Sequence, residues 1–259
     1  MTHAAPAATA HTWRPPAPVA PRGTLVVLPG RGEHGPVYER FGRRLSADGY
    51  VVHALDTTPR QDAADVLLAV TGVLGAAPAA PVVLVGSDTG ALQALGAAAR
   101  AGGEVPLAGL VLAGTALGAG APDLDWEAEL AARTSCPTHR HTLSRDAEFG
   151  RGLLTGPIPA HLLPGDVLPA VPALLLHGAA DPLTPLGQVR ALARRLPGAA
   201  LAVVHDGVHD VLNDASHRTT AAAVVQWLER LRADPGLRPI LSVEPLAQHR
   251  PRPTERRAP

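Results

Sequence analysis

One acidic residue stands where the chain must turn most sharply. In Val82-Val83-Leu84-Val85-Gly86-Ser87-Asp88-Thr89-Gly90-Ala91, two glycines bracket Asp88. Four apolar β-formers run into a glycine, three polar residues, a second glycine and an alanine-rich helical stretch, the pattern of a buried strand folding directly into a helix. Small residues on either side of the bend let the backbone fold back and push one side chain up at the strand end, the elbow form Gly-x-nucleophile-x-Gly. A carboxylate there, kept ionised by the helix that starts beneath it, can attack an electrophilic carbon and carry a covalent ester. The plain alternative is an acid that accepts backbone N–H bonds in the first turn of the helix. Ser87 is the rival nucleophile, but it would place Val85 and Thr89 where small residues are needed.

The segments around the elbow supply a sheet to hold it. Thr24 to Leu28 reads as a continuous apolar strand, closed by the glycine-rich loop Pro29-Gly30-Arg31-Gly32-Glu33-His34-Gly35-Pro36 and followed by a helix with Val37, Phe41 and Leu45 on one face. Tyr50 to Leu55, Leu107 to Ala113, Ala173 to Leu176 and Ala200 to Val204 are further strands, and helices follow at Val66 to Leu74, Ala91 to Ala101, Leu186 to Arg195 and Val224 to Leu231. Alternating strands and helices, with strands apolar on both faces, predict an α/β fold with a doubly wound, mainly parallel sheet. The alternation breaks between Gly114 and Val171. That span predicts a small inserted helical cap over the carboxyl edge of the sheet, where such folds bind ligands. The expected organisation is an N-terminal arm over 1–22 with one short extended piece near Thr12 to Arg14, a core of 23–114 and 171–233, a cap over 115–170, and a Pro/Arg-rich tail over 234–259. Within the tail, Pro239 to Val243 is expected to dock and Gln248 to Pro259 to be disordered.

Composition narrows the partners. The 259 residues carry 23 basic and 23 acidic side chains, so no global field draws the chain to nucleic acid or acidic lipid. A small-molecule substrate is the expected partner, with a homodimer the self-association considered. Cys136 is the single cysteine, which rules out an intramolecular disulfide and is compatible with a reducing cytoplasm. No stretch reaches the ~18 apolar residues of a membrane span, and no secretory pattern opens the chain. Gly30-Arg31-Gly32 lacks both the third glycine of a dinucleotide fingerprint and the Gly-Lys-Ser/Thr of a phosphate loop. Cys136, His139 and His141 are zinc-compatible ligand types, read more simply as surface or packing residues.

Three segments, in order, resemble the α/β-hydrolase family, over roughly Thr24 to Leu231. The loop Pro29 to His34 resembles the His-Gly-x-Gly-Glu-His loop of monoacylglycerol lipase and lysophospholipase-like hydrolases, with Pro29 in place of the histidine. The resemblance implies an oxyanion hole made by the backbone N–H groups of Arg31 and Thr89, with Gly30, Gly32, Ser87 and Trp126 near the substrate. Asp181, in His177-Gly178-Ala179-Ala180-Asp181, resembles the family's acid, and His209, in Gly207-Val208-His209-Asp210, its catalytic histidine. Asp88 replaces the lipase serine, as in the dehalogenases and epoxide hydrolases of this fold. Even so, Thr89 is not the tryptophan usual in the former, and Tyr38 and Tyr50 both lie outside the cap that supplies tyrosines in the latter.

The resemblance therefore implies a cofactor-independent hydrolase with Asp88 as nucleophile and His209, oriented by Asp181, activating water. An ester or thioester hydrolase using Ser87, or Asp88 as a base for direct attack by water, is the second reading. A non-catalytic binding protein on the same fold is the third.

Overall fold

The continuous apolar runs form the strands of one sheet. This computed structural model describes residues 10–103, 105–118 and 123–242. Strands β1 (Ala10–Trp13), β2 (Thr24–Leu28), β3 (Val51–Leu55), β4 (Val82–Ser87), β5 (Leu107–Ala113), β6 (Ala173–Gly178) and β7 (Ala200–Val204) lie in the order β1-β3-β2-β4-β5-β6-β7. Every pairing is parallel except β1 with β3. Part of the N-terminal arm is thus an edge strand: Trp13 pairs with Val52 and packs against the core.

Both faces of the sheet are covered, which explains why its strands show no polar alternation. Leu25 and Val27 face one apolar cluster, shared with helices α1 (Glu39–Ala47) and α7 (His217–Ala233). Val26 and Leu28 face the other, shared with α2 (Ala63–Leu74), α3 (Thr89–Arg100) and α6 (Leu186–Arg195). Parallel neighbours bring the C-terminal ends of β2, β4, β5 and β6 to one edge. The glycine-rich loop, Asp88, Gly114 and the turn at Asp181 all leave from that edge.

Between β5 and β6 the described residues form α4 (Trp126–Arg133), α5 (Pro137–Arg145) and a short 3-10 turn, Ala160–Leu162. This insertion is fastened to the glycine-rich loop. Gly150 N–H donates to the Gly32 carbonyl at 2.8 Å, and His34 Nε2 lies 2.7 Å from Asp146 Oδ2. A side chain at Gly32, whose φ is +78°, would meet the Gly150 carbonyl oxygen at 2.2 Å, so this contact needs glycine.

One tail expectation changes: Ile240 and Leu241 are exposed rather than docked. No helix among the described residues is long and apolar enough to cross a membrane. Val243 and the Gln248 to Pro259 segment lie outside the described residues.

Candidate active site

β4 ends in a strained turn that lifts Asp88 above the sheet. Asp88 has φ 51° and ψ −118°, a left-handed conformation unfavourable for any residue with a Cβ, and its neighbours explain how it is enforced. A Cβ on Gly86 would lie 2.3 Å from the Gly90 carbonyl oxygen, and one on Gly90 would lie 2.1 Å from that of Leu28. Only glycine at both positions lets the helix pack this tightly on the strands. Ser87 still belongs to β4 and is buried, with its hydroxyl near Tyr38 and no hydrogen bond to His209.

His209 and Asp181 converge on Asp88. His209 Nε2 is 3.2 Å from Asp88 Oδ1, and its Nδ1 is 2.9 Å from Asp181 Oδ2. Asp181 is itself fixed, because its other oxygen accepts the N–H groups of Leu183 at 2.8 Å and Thr184 at 3.2 Å. His177 does not join the relay to Asp88; its Nε2 lies 2.8 Å from the Thr184 carbonyl oxygen. The imidazole thus bridges two carboxylates, the arrangement in which one fixes the ring and the other exchanges a proton with it.

Arg31 brings more than its backbone to the site. Its N–H donates to Asp88 Oδ2 at 2.9 Å, as an oxyanion-hole donor would, while Nε donates to Oδ2 and Nη2 to Oδ1, both at 2.8 Å. Nη1 reaches the Gly156 carbonyl of the inserted segment at 2.6 Å. The guanidinium therefore sits over the carboxylate as a bidentate clamp and ties it to the cap. Thr89 contributes its hydroxyl, 3.4 Å from Asp88 Oδ2. Gly30 lies directly against the elbow: a Cβ there would be 2.8 Å from Asp88 Cβ.

These charges set one another's protonation. Burial alone would raise the Asp88 pKa, but the Arg31 charge and the His209 and Arg31 hydrogen bonds hold it well below the usual carboxylate range. Burial raises and His209 lowers the Asp181 pKa, with a net decrease. Burial would lower the His209 pKa, yet Asp181 and then Asp88 drive it up to about 10. These shifts favour an imidazolium at neutral pH, bridging Asp88 and Asp181, with the Arg31 guanidinium on Asp88 alone. His209's contribution to stability is complete below its ordinary 6.5 and is lost as pH rises through about 10. An NMR titration of the His209 imidazole should give a midpoint near the upper value; a midpoint near 6.5 would contradict the double pairing.

Beneath the triad lies a second group of buried charges, of which the sequence marked only Glu33, in the glycine-rich loop. Arg133, at the C-terminal end of α4, is 1% exposed. Its Nη2 donates to the Arg31 carbonyl at 2.7 Å and to Glu129 Oε1 at 2.8 Å, and its Nη1 to Glu33 Oε1 at 3.2 Å. The carbonyls of Ala132 and Arg133 accept the N–H groups of His209 at 3.2 Å and Asp210 at 2.8 Å. One helix end therefore holds the Arg31 loop and the His209 loop together. Glu33 also accepts the Gly30 N–H at 2.9 Å and the Tyr38 hydroxyl.

Trp126, expected near the substrate, packs in the inserted segment against Phe149 and Arg151, 5.8 Å and 4.7 Å away. Cys136, His139 and His141 are placed as packing and surface residues: the thiol meets Arg40, His139 Nε2 is 3.1 Å from Asp210, and His141 is exposed. Among the described residues no group of three such side chains could hold a metal ion.

Known proteins place this geometry in context. A family described as TAP-like protein matches residues 156–236, the stretch that contains Asp181 and His209. No curated protein matches the chain. Among solved structures, the chain is similar to a monoacylglycerol lipase of Paleococcus ferrophilus, with 18% identity, 86% of this chain and 99% of that one covered, and a TM-score of 0.70. A soluble variant of the monoglyceride lipase of Saccharomyces cerevisiae gives 15% identity, 86% and 91% coverage and a TM-score of 0.69. The enol-lactonase of Burkholderia xenovorans gives 17%, 86% and 97%, and 0.62. With its seven-stranded, mainly parallel sheet and a left-handed elbow at the end of β4, the chain has the α/β-hydrolase fold.

Proposed function

We propose that the protein is a cofactor-independent hydrolase of a small organic molecule, with Asp88 as nucleophile and His209, oriented by Asp181, as the base that activates water. The supporting observation is the pairing of an elbow carboxylate at φ 51° with His209 Nε2, 3.2 Å away, and with the Arg31 N–H, 2.9 Å away. Asp88 Oδ1 attacks an electrophilic carbon; a carbon–oxygen bond forms and the leaving group departs with its bonding pair. Esterification removes one of the two negative charges that keep His209 protonated. Its pKa then falls toward the neutral range, and the imidazole, once it has given up its proton, takes another from water attacking Asp88 Cγ. The oxyanion formed there is held by the Arg31 N–H, joined by that of Thr89, and collapses to release an alcohol. The single buried cysteine suits a reducing cytoplasm as the working compartment.

The Arg31 guanidinium has to leave Asp88 before attack, because in the resting site it occupies both oxygens. Arg31→Met keeps the N–H and removes the clamp, and it should speed Asp88 alkylation by an uncharged electrophile about tenfold. The decisive assay uses His209→Gln, which can form the ester but not clear it. Incubated with panels of organic halides, epoxides and lactones, this variant should gain the mass of the substrate fragment on the peptide containing Asp88. No adduct from any panel, with product still formed by the unmodified protein, would defeat the reading.

The same clamp favours a second reading, in which the fold captures a ligand without turning it over. Ligand binding unchanged in His209→Ala, with no product and no adduct, would select it. The serine route has less support, because His209 Nε2 pairs with Asp88 and Ser87 makes no hydrogen bond to it.

A further inference from the structure

Esterification of Asp88 strands a buried cation. Arg31 is 5% exposed, and among the described residues Asp88 is the one carboxylate within ion-pair distance of it, at 2.8 Å. Glu33 and Glu129 lie against Arg133 instead, at 3.2 Å and 2.8 Å. Asp181 is committed as well, through one oxygen to His209 and through the other to the N–H groups of Leu183 and Thr184. Nη1 of Arg31 is held by the Gly156 carbonyl, so the donors on Asp88 are Nε and Nη2, the guanidinium edge that fits a carboxylate with two parallel bonds. Attack requires that edge to release the Asp88 oxygens, and the ester that follows carries no charge to take it back. A guanidinium buried this deeply is strongly disfavoured without a counter-charge.

We infer that the substrate brings the missing anion: it is an electrophile whose own carboxylate lies within about two bonds of the carbon that Asp88 attacks. The inference rests on Asp88 being the nucleophile. A carboxylate is the group that the Nε/Nη2 edge already grips, so an incoming one replaces Asp88 like for like. Distances set the spacing. The edge binds a carboxylate at about 2.8 Å, and the reacting carbon must stand about 3–3.5 Å from the attacking oxygen. Because the edge starts in contact with both Asp88 oxygens, a short displacement admits a carboxylate and its neighbouring carbon but no long spacer. Nη1, kept on the Gly156 carbonyl, tethers the guanidinium beside the site while the other edge changes partner. Arg31 and the substrate carboxylate are together neutral, so after esterification His209 faces Asp181 alone and can give up its proton. One carbon–oxygen bond forms, the leaving group takes its bonding pair, and water then releases the corresponding hydroxy acid.

The probes are 2-bromopropionate and its uncharged counterpart 2-bromopropionamide, incubated with the full-length His209→Gln protein. The readout is the rate at which the peptide containing Asp88 gains the substrate fragment as bromide is released. Corrected for the reactivity of each compound toward free acetate, the acid should label Asp88 at least about tenfold faster than the amide. Adding Arg31→Met should abolish that preference by slowing the acid and speeding the amide, and Arg31→Lys, which keeps the charge but not the fork, should retain only part of it. The ratio in His209→Gln needs no change at Arg31, so it decides the matter even where those variants fold poorly. A corrected ratio below about threefold, or a preference that survives Arg31→Met, would overturn the inference and leave Asp88 as nucleophile. Labelling by neither probe, with adducts from uncharged halides or epoxides, would do the same. No adduct from any electrophile would remove the nucleophile assignment and this inference with it.

Discussion

Arg133→Met should lower the unfolding free energy by about 4 kcal/mol, because it strands two buried carboxylates that now share one cation. Glu33 and Glu129 are both almost fully buried, and each lies against the Arg133 guanidinium, at 3.2 Å and 2.8 Å. The methionine stem fills much of the arginine's volume, so the loss is electrostatic rather than a cavity. In a domain of this size it corresponds to roughly 10 °C in Tm. Burial and the neighbouring Asp210 already raise the Glu33 pKa, so the variant should recover stability as pH falls and Glu33 binds a proton. Arg133→Met combined with Glu33→Gln and Glu129→Gln should restore most of the loss, because no uncompensated charge is left. Thermal unfolding across pH measures both effects. A loss below about 1 kcal/mol would mean the network is hydrated and does not join the two loops.

Asp88→Asn should reduce turnover by at least about 10⁴-fold, the scale seen when a member of a catalytic triad is removed. The amide cannot displace a leaving group, and His209 loses one of the two carboxylates that hold its proton. Its pKa should therefore fall from about 10 toward that of a singly paired histidine. The two readouts separate the roles. If Asp88 were only a helix-terminal acid, the histidine pKa would still move but turnover would not. Arg31 complicates the stability of this variant, because its buried guanidinium loses its carboxylate partner and keeps only neutral carbonyl acceptors, that of Gly156 among them. A fold loss of a few kcal/mol should accompany the kinetic one, and assays belong below the lowered Tm.

The elbow was legible because its requirements are local. Gly86 and Gly90 mark both close approaches, and the apolar run before them marks the strand. The sheet was legible for a similar reason, since strands covered on both faces have no alternation to misread. Strand β1 was only partly so: with five prolines in its neighbourhood the arm gives little periodicity, and its pairing depends on β3, some forty residues away. Asp181 and His209 stood out through motif order rather than through physics visible in their own segments.

Arg31 was read for its N–H alone, since nothing in Gly30-Arg31-Gly32 says where a long side chain will fold. The geometry shows it folding back onto Asp88. Nothing in its own segment marked Arg133. Its partner Glu33 lies 100 positions away, and only the seating of α4 against the glycine-rich loop brings them together. Trp126, expected near the substrate, packs with Phe149 and Arg151. Buried charges of this kind are specified by tertiary neighbours, and no sequence window carries the signal.

The claim that Asp88 forms the covalent bond meets its most direct test in a single turnover carried out in ¹⁸O-labelled water with a substrate found by the adduct screen. Water that attacks Asp88 Cγ leaves one labelled oxygen in the carboxylate, while the alcohol released keeps the unlabelled oxygen that Asp88 supplied. The peptide containing Asp88 should therefore gain the label during the first turnover. A labelled product with an unlabelled Asp88 peptide would mean that water attacks the substrate directly, and the nucleophile assignment would fall.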